Sequence, residues 1–238
     1  MGMTFFILII YSSITFSSEI NCQYGDNSFC PKGFYCIQYE KDKDVCVENF
    51  TGEVPKISYP FDKKTKSICD QGNLSPIGNS HTWNNTAFAL DLQGNRKNKE
   101  NKIYAGADGV VIVHSDCQTK NDQCGAGFGN HVKILTQDNF IIFYAHLAEI
   151  KIKTGDKIKS GDLIGFEGET GWTGENNRHL HLSVHFDWKT LGMEYWKNLG
   201  HLPKSIPFLI MNCHGEVLNS KEIPCQRISK DKVKALCE

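Results

Sequence analysis

An all-β fold is predicted on three observations: short β-favouring runs, turn residues between them, and no long stretch with a 3.6-residue apolar period. The runs are Ala87 to Leu92, Ile103 to Ala105, Gly109 to His114, His131 to Leu135, Phe140 to His146, Leu163 to Phe166 and His179 to Phe186. Gly, Asn and Asp separate them and supply the tight reversals that neighbouring antiparallel strands need. Asp138-Asn139 lies between two of the runs as a hairpin turn, and Gly125 to Asn130 ends another connection. The expected architecture is a compact antiparallel β-sheet domain with an open groove, flanked by small disulfide-rich N-terminal and C-terminal extensions.

The flanking segments follow from the termini and the cysteines. Residues 3 to 18 are an apolar stretch of signal-peptide length ending in small residues, with no Lys or Arg before it. It is shorter than the ~20 residues that span a bilayer, so residues 1–18 are read as a signal peptide and the mature protein as secreted, without a stable membrane anchor. All ten cysteines lie beyond this segment and none forms a C-x-x-C pair, which favours disulfides over a cysteine zinc site. Cys22, Cys30, Cys36 and Cys46 mark residues 19–50 as a module stapled together instead of packed, serving as a spacer or as a binder of a partner or wall polymer. Residues 51–58 read as a linker, 59–189 as the main domain, and 190–238 as an extension carrying Cys213, Cys225 and Cys237. Cys117 and Cys124 flank one loop and are expected to pair. The odd number of cysteines in the extension, with Cys69 left over, implies a bridge back to the domain. A net charge of -1 with interspersed signs gives no reason to expect nucleic acid. The lysines at 63, 64, 66, 151, 153, 157 and 159 read as solvated faces, with attraction to an anionic polymer such as a cell wall as the alternative.

Chemistry concentrates in three segments. In His179-Leu180-His181 the two imidazoles fall on one face of a strand with Ser183 and His185, while Leu180, Leu182 and Val184 face the core. Upstream, His81 precedes the apolar run that contains Asp91, and Phe143-Tyr144-Ala145-His146-Leu147 lies between. Two imidazoles and one carboxylate suit zinc with a coordination position left open. Zinc lowers the pKa of bound water from 15.7 to roughly 7. His185 is expected to face solvent or to line the groove, and His114, His131, His201 and His214 lack comparable spacing. Trp83, Tyr144 and Trp172 lie near these segments, with burial as the default for such rings. Gly168 to Gly174 is read as a groove wall admitting an extended peptide.

From Tyr59 to Phe186 the chain resembles the LytM/lysostaphin-type zinc endopeptidases of peptidoglycan. The resemblance takes in Tyr59-Pro60-Phe61, Gln71-Gly72-Asn73, His81 with Ala89-Leu90-Asp91, Ala105 to Val111, Gly129-Asn130-His131-Val132, Tyr144-Ala145-His146-Leu147, Gly155 to Gly165, and Thr170-Gly171 leading to His179-Leu180-His181. It implies one zinc ion per chain held by His81, Asp91 and His181, with His146 and His179 as catalytic histidines that orient or deprotonate the water and stabilise the oxyanion. The implied substrate is the stem or cross-bridge peptide of peptidoglycan. An inert peptidoglycan-binding or hydrolase-activating protein, and a peptidase acting on proteins, are the alternatives. In one respect the chain departs from the family: nine residues separate His81 from Asp91, where the commonest pattern has only a few. Asn49, Asn73 and Asn84 stand in N-x-S/T contexts that permit glycosylation in a eukaryotic source.

Overall fold

The structure is a computed structural model that describes residues 22, 29–40, 43–48, 50–62, 65, 67–72, 81, 83, 85–98, 100–118, 122–190, 192, 202–211 and 217–218. The signal segment, Lys63, Lys64, Lys66, Asn49, Asn73, Asn84, His201, His214, Cys213, Cys225 and Cys237 lie outside the described residues. So does most of the 190–238 extension. Among the described residues no helix is long and apolar enough to cross a membrane.

The chain is nearly all β. Strands β1 (Phe34–Glu40) and β2 (Lys43–Glu48) form an antiparallel hairpin in which Cys36 sits opposite Cys46. Each of these two cysteines is bonded to a cysteine outside the hairpin, giving Cys22–Cys36 and Cys30–Cys46. Strand β3 (Lys56–Ser58) lies inside the segment read as a linker. Strands β4 (Ile68–Gln71), β5 (Leu90–Gln93), β6 (Lys102–Tyr104), β7 (Gly109–His114), β8 (His131–Leu135) and β9 (Phe140–Ala145) follow. Then come β10 (Leu147–Ile150), β11 (Lys157–Ile158), β12 (Leu163–Glu167), β13 (Leu180–Phe186), β14 (Leu209–Met211) and β15 (Val217–Leu218).

Seven strands make the main sheet, in the order β11-β7-β8-β9-β13-β5-β4, with every neighbouring pair antiparallel. Strands β7, β8, β9, β12 and β13 coincide within a residue or so with runs read from the sequence. Asn139 turns the β8–β9 hairpin with a φ of 70°, a conformation Asn tolerates better than most side chains. The short strands β3, β4, β10, β11, β14 and β15 had too few residues to show a period, and neighbours fix them instead. Ala87 to Ala89, expected as strand, is a turn that ends where β5 begins.

Period-two alternation separates the faces of the sheet. Val132 and Ile134 of β8, Ile142 and Tyr144 of β9, and Leu182 and Val184 of β13 join the main apolar cluster. That cluster also takes in Ile103, Leu147 and Ile164 from the β10-β12-β6 sheet and Ile57, Ile206, Phe208 and Ile210 around β3 and β14. The other face carries His131, Lys133, Phe143, His181, Ser183 and His185, all buried. Cys117 and Cys124 are bonded to each other as expected, and Cys69 is disulfide-bonded too.

The polar face has a consequence for acid stability. Burial lowers the pKa of His131 and of His185 to about 3, against 6.5 for an exposed imidazole. Both are neutral in the fold, whereas the unfolded chain takes up their protons near pH 6.5. Between these values the unfolded state binds more protons, so the stability these groups contribute is present above pH 6.5 and lost as pH falls towards 3. Each contributes a slope of up to about 1.4 kcal/mol per pH unit. Buried Glu167, whose pKa is raised by burial, acts in the opposite sense. A falling melting temperature from pH 7 to pH 5 in chelator is the expected outcome; a flat profile would contradict it.

Candidate metal centre

Asp91 of β5 and His181 of β13 are register partners, and on its other side His181 pairs with Ala145, the last residue of β9. His146 therefore stands one residue beyond the partner of His181, and His179 stands just ahead of β13, bridged to Gly168. These register relations bring four of the five candidate residues together. The fifth, His81, arrives from outside the named strands.

All five side chains are buried. Three imidazole nitrogens approach one oxygen, Asp91 Oδ1: His181 Nδ1 at 3.0 Å, His81 Nε2 at 3.2 Å and His179 Nε2 at 3.7 Å. The histidine tautomers follow from backbone acceptors, since a carbonyl oxygen can only accept. His81 Nδ1 donates to Gly72 O at 2.9 Å, His146 Nδ1 to Thr170 O at 2.8 Å, and His179 Nδ1 to Asn177 O at 2.8 Å. In their neutral forms each keeps its lone pair on Nε2. For His81 and His179 that lone pair meets the carboxylate oxygen, a contact repulsive until a cation or a proton comes between them.

His181 adds a second sign of incompleteness, because its buried Nε2 has no hydrogen-bond partner among the described residues. One ligand atom each from His81, Asp91 and His181 lies within 4.8 Å of the others. Two imidazoles and a carboxylate, oriented by backbone carbonyls, match the donor chemistry of a zinc site. The residues present therefore fit the metal. A second cluster, His114, Asp116, Cys117 and Cys124, does not, because its two cysteines are joined in a disulfide.

The electrostatics agree with a cation-seeking pocket. Burial alone would raise the Asp91 carboxyl, but the His81 and His179 imidazoles and the hydrogen bonds from His181 and His81 hold it well below the usual range. Burial likewise opposes a proton on His81, yet Asp91 outweighs it and the pKa is raised. His146 moves the other way: burial, and then the neighbouring imidazoles of His179 and His181, keep it neutral far below pH 6.5. Its ring lies 4.7 Å from that of His179 between centroids.

Several supports of this geometry carry no sequence signal. His146 itself has a φ of 63°, held by its own N–H to Phe128 O at 3.0 Å and by Leu147 N to Asn130 O at 2.9 Å. Thr170 clamps the same corner, its hydroxyl donating to Leu147 O and accepting from Asn130 N, both at 2.9 Å. Gly129 lets the two backbones meet: at its φ of 62° a Cβ would lie 2.2 Å from Thr170 O. The Asn177 carbonyl is positioned by Gln93 of β5, whose Nε2 donates to Asn177 Oδ1 at 2.9 Å. Arg178, next to His179, pairs with buried Glu167 at 3.3 Å.

The remaining aromatic and histidine candidates sort differently. Tyr144 is fully buried, its hydroxyl accepting from Gly106 N at 2.7 Å. Trp83 and Trp172 are exposed, at 42% and 67%. For His185 the structure corrects the sequence reading of a solvent-facing or groove-lining residue. It is completely buried, donating from Nδ1 to Pro203 O at 2.8 Å and accepting at Nε2 from Ser183 Oγ at 2.8 Å. A period-two pattern places it on the His181 face, but its ring partner Pro203 comes from a segment that pairs antiparallel beside β13 through Ser205 and Ile206, which no local pattern shows.

Residues 89–192 match the family model described as Peptidase family M23. These residues form a peptidase family M23 domain. The match begins at Ala89, so Asp91, His146, His179 and His181 lie inside it and His81 ahead of it. Among curated proteins, an uncharacterized metalloprotease of Buchnera aphidicola is 26% identical over 179 residues, 74% of this chain and 41% of that protein. The peptidoglycan DD-endopeptidase ShyA of Vibrio cholerae is 30% identical over 149 residues, 61% of this chain and 29% of ShyA. The chain thus spans less than half the length of these relatives. Among solved structures, the catalytic domain of lysostaphin from Staphylococcus simulans aligns with a TM-score of 0.39 and 21% identity, covering 57% of this chain and 92% of that one.

Proposed function

We propose that this chain is a secreted zinc metalloendopeptidase that hydrolyses peptide bonds in the stem or cross-bridge peptides of peptidoglycan. The observation that most supports this is the convergence of His81, His179 and His181 nitrogens on one oxygen of Asp91, with two of the three tautomers set by backbone carbonyls. His81, Asp91 and His181 would hold one zinc ion, through two neutral nitrogens and one carboxylate. Zinc bound there supplies Lewis acidity, polarising a scissile carbonyl and making water nucleophilic near neutral pH.

The chain's own residues do the rest. His146 stays neutral, and its Nε2 accepts a hydrogen bond from the attacking water. His179, with Nδ1–H committed to Asn177 O, presents Nε2 beside it. This pair orients the water and takes up one of its protons; the resulting Nε2–H hydrogen-bonds the developing oxyanion and then passes that proton to the leaving amine as the C–N bond breaks. The exposed indoles of Trp83 and Trp172 stand two residues from His81 and from Thr170 respectively, at the edge of this constellation.

The test is digestion of purified peptidoglycan with mass spectrometry of the products. New amine termini within stem or cross-bridge peptides, abolished by chelator and restored by zinc, are expected. Intact cross-links after zinc loading, alongside cleavage of a protein substrate, would replace the wall reading with general peptidase activity. Binding to wall material without any cleavage would leave a binding protein.

A further inference from the structure

We propose that the disulfide-stapled hairpin β1–β2 is a brace for the metal centre, acting through Phe88 to fix the long connection between His81 and Asp91. This rests on the assignment of those residues as ligands. Nine residues between two ligands leave their separation undetermined by local geometry, and each freely rotating residue must be ordered at an entropic cost before both ligands face one ion. Among its described residues, turn hydrogen bonds run from Thr86 N and Ala87 N to Trp83 O at 3.0 and 2.8 Å and from Ala89 N to Thr86 O at 2.8 Å.

Its apolar support comes from the hairpin. Ala87 and Phe88 are buried in a cluster of their own with Tyr35, Ile37 and Val47, separate from the main core, which the chain rejoins at Leu90. The Tyr35 ring meets Phe88 edge-on at 4.8 Å between centroids. A third segment ties both sides together: Phe88 N donates to Ser205 Oγ at 3.1 Å, while the neighbouring Lys204 ammonium lies 5.2 Å over the Tyr35 ring and donates to Glu48 O. The cluster's hairpin residues face inwards against the connection. They are thus used within this chain and not presented to a partner.

Phe88 and Tyr35 are positioning residues on this account. The experiment uses the full chain with its disulfides intact and compares Phe88→Ala, Tyr35→Ala, Phe88→Leu and Tyr35→Phe. Zinc affinity by chelator competition, kcat and KM, and hydrogen exchange of the 85–89 amides are the readouts. Both alanine variants should weaken zinc about 10- to 100-fold, the range found for groups that orient ligands. They should also lower kcat with KM little changed and speed exchange at 85–89. Phe88→Leu and Tyr35→Phe should restore most of each effect, since the Tyr35 hydroxyl makes no hydrogen bond among the described residues. Ile112→Ala, in a third cluster with Leu135 and Ile141, is the control for lost stability alone and should leave zinc affinity unchanged.

Unchanged zinc affinity, kcat and exchange in Phe88→Ala would overturn the brace, as would an equal loss of zinc affinity in Ile112→Ala. Failure of the wild-type protein to bind zinc would instead refute the ligand assignment. The exchange data, which need no metal, would then decide the brace alone.

Discussion

Asp91→Asn is expected to yield a folded protein without zinc and with activity lowered by more than about a thousandfold, since Lewis-acid stabilisation worth several kcal/mol disappears. The carboxylate is the only anionic member of the proposed donor set and is the atom on which three imidazoles converge. Asparagine preserves the shape, and its amide N–H can donate to the His81 Nε2 lone pair, so the metal-free fold should persist. Metal analysis of the purified variant, circular dichroism and a zinc-supplemented digestion check the outcome. Stoichiometric zinc with near-normal turnover would remove Asp91 from the centre. In the wild-type protein the raised pKa of His81 makes a proton compete with the metal, so zinc affinity should rise with pH through the neutral range.

His146→Ala and His179→Ala should behave differently: zinc stays bound and kcat falls by about 100- to 10,000-fold in each. The double variant should be little worse than the poorer single one, because groups that share one proton act as a unit. Chelator competition separates this outcome from metal loss. If either alanine variant released zinc while the other did not, that histidine would be acting as a ligand. Equal turnover in wild type and His146→Ala would leave no catalytic part for the residue whose Nδ1 is fixed by Thr170 O.

Of the proposed centre, the facing of His181 was legible because that residue sits on a strand with a period of two, whereas His81, His146 and His179 lie off the strands and were picked out by the family resemblance. His181 on the face opposite Leu180, Leu182 and Val184 is a local property of β13, and the structure keeps that alternation. The same locality explains the Cys117–Cys124 bridge, which closes a short loop between β7 and β8. Burial of His185 was not legible, since it depends on Pro203 to Ile206 pairing antiparallel beside the end of β13 nearly twenty residues later. Nor was the fixing of the His81, His146 and His179 rings by Gly72, Thr170 and Asn177, because those contacts are to backbone carbonyls, which every residue type carries.

By itself, then, the sequence determined an all-β chain, the faces of its longer strands, and a set of histidines and an aspartate suited to zinc. Tertiary structure alone decided that His81, ahead of the family match and nine residues from Asp91, reaches the same oxygen as His179 and His181. It also decided which nitrogen of His81, His146 and His179 keeps its lone pair, and that the N-terminal hairpin packs on Phe88. Side-chain direction along a strand is fixed within two residues. The meeting of a long loop, a distant carbonyl and a separate hairpin depends on closure of the whole chain.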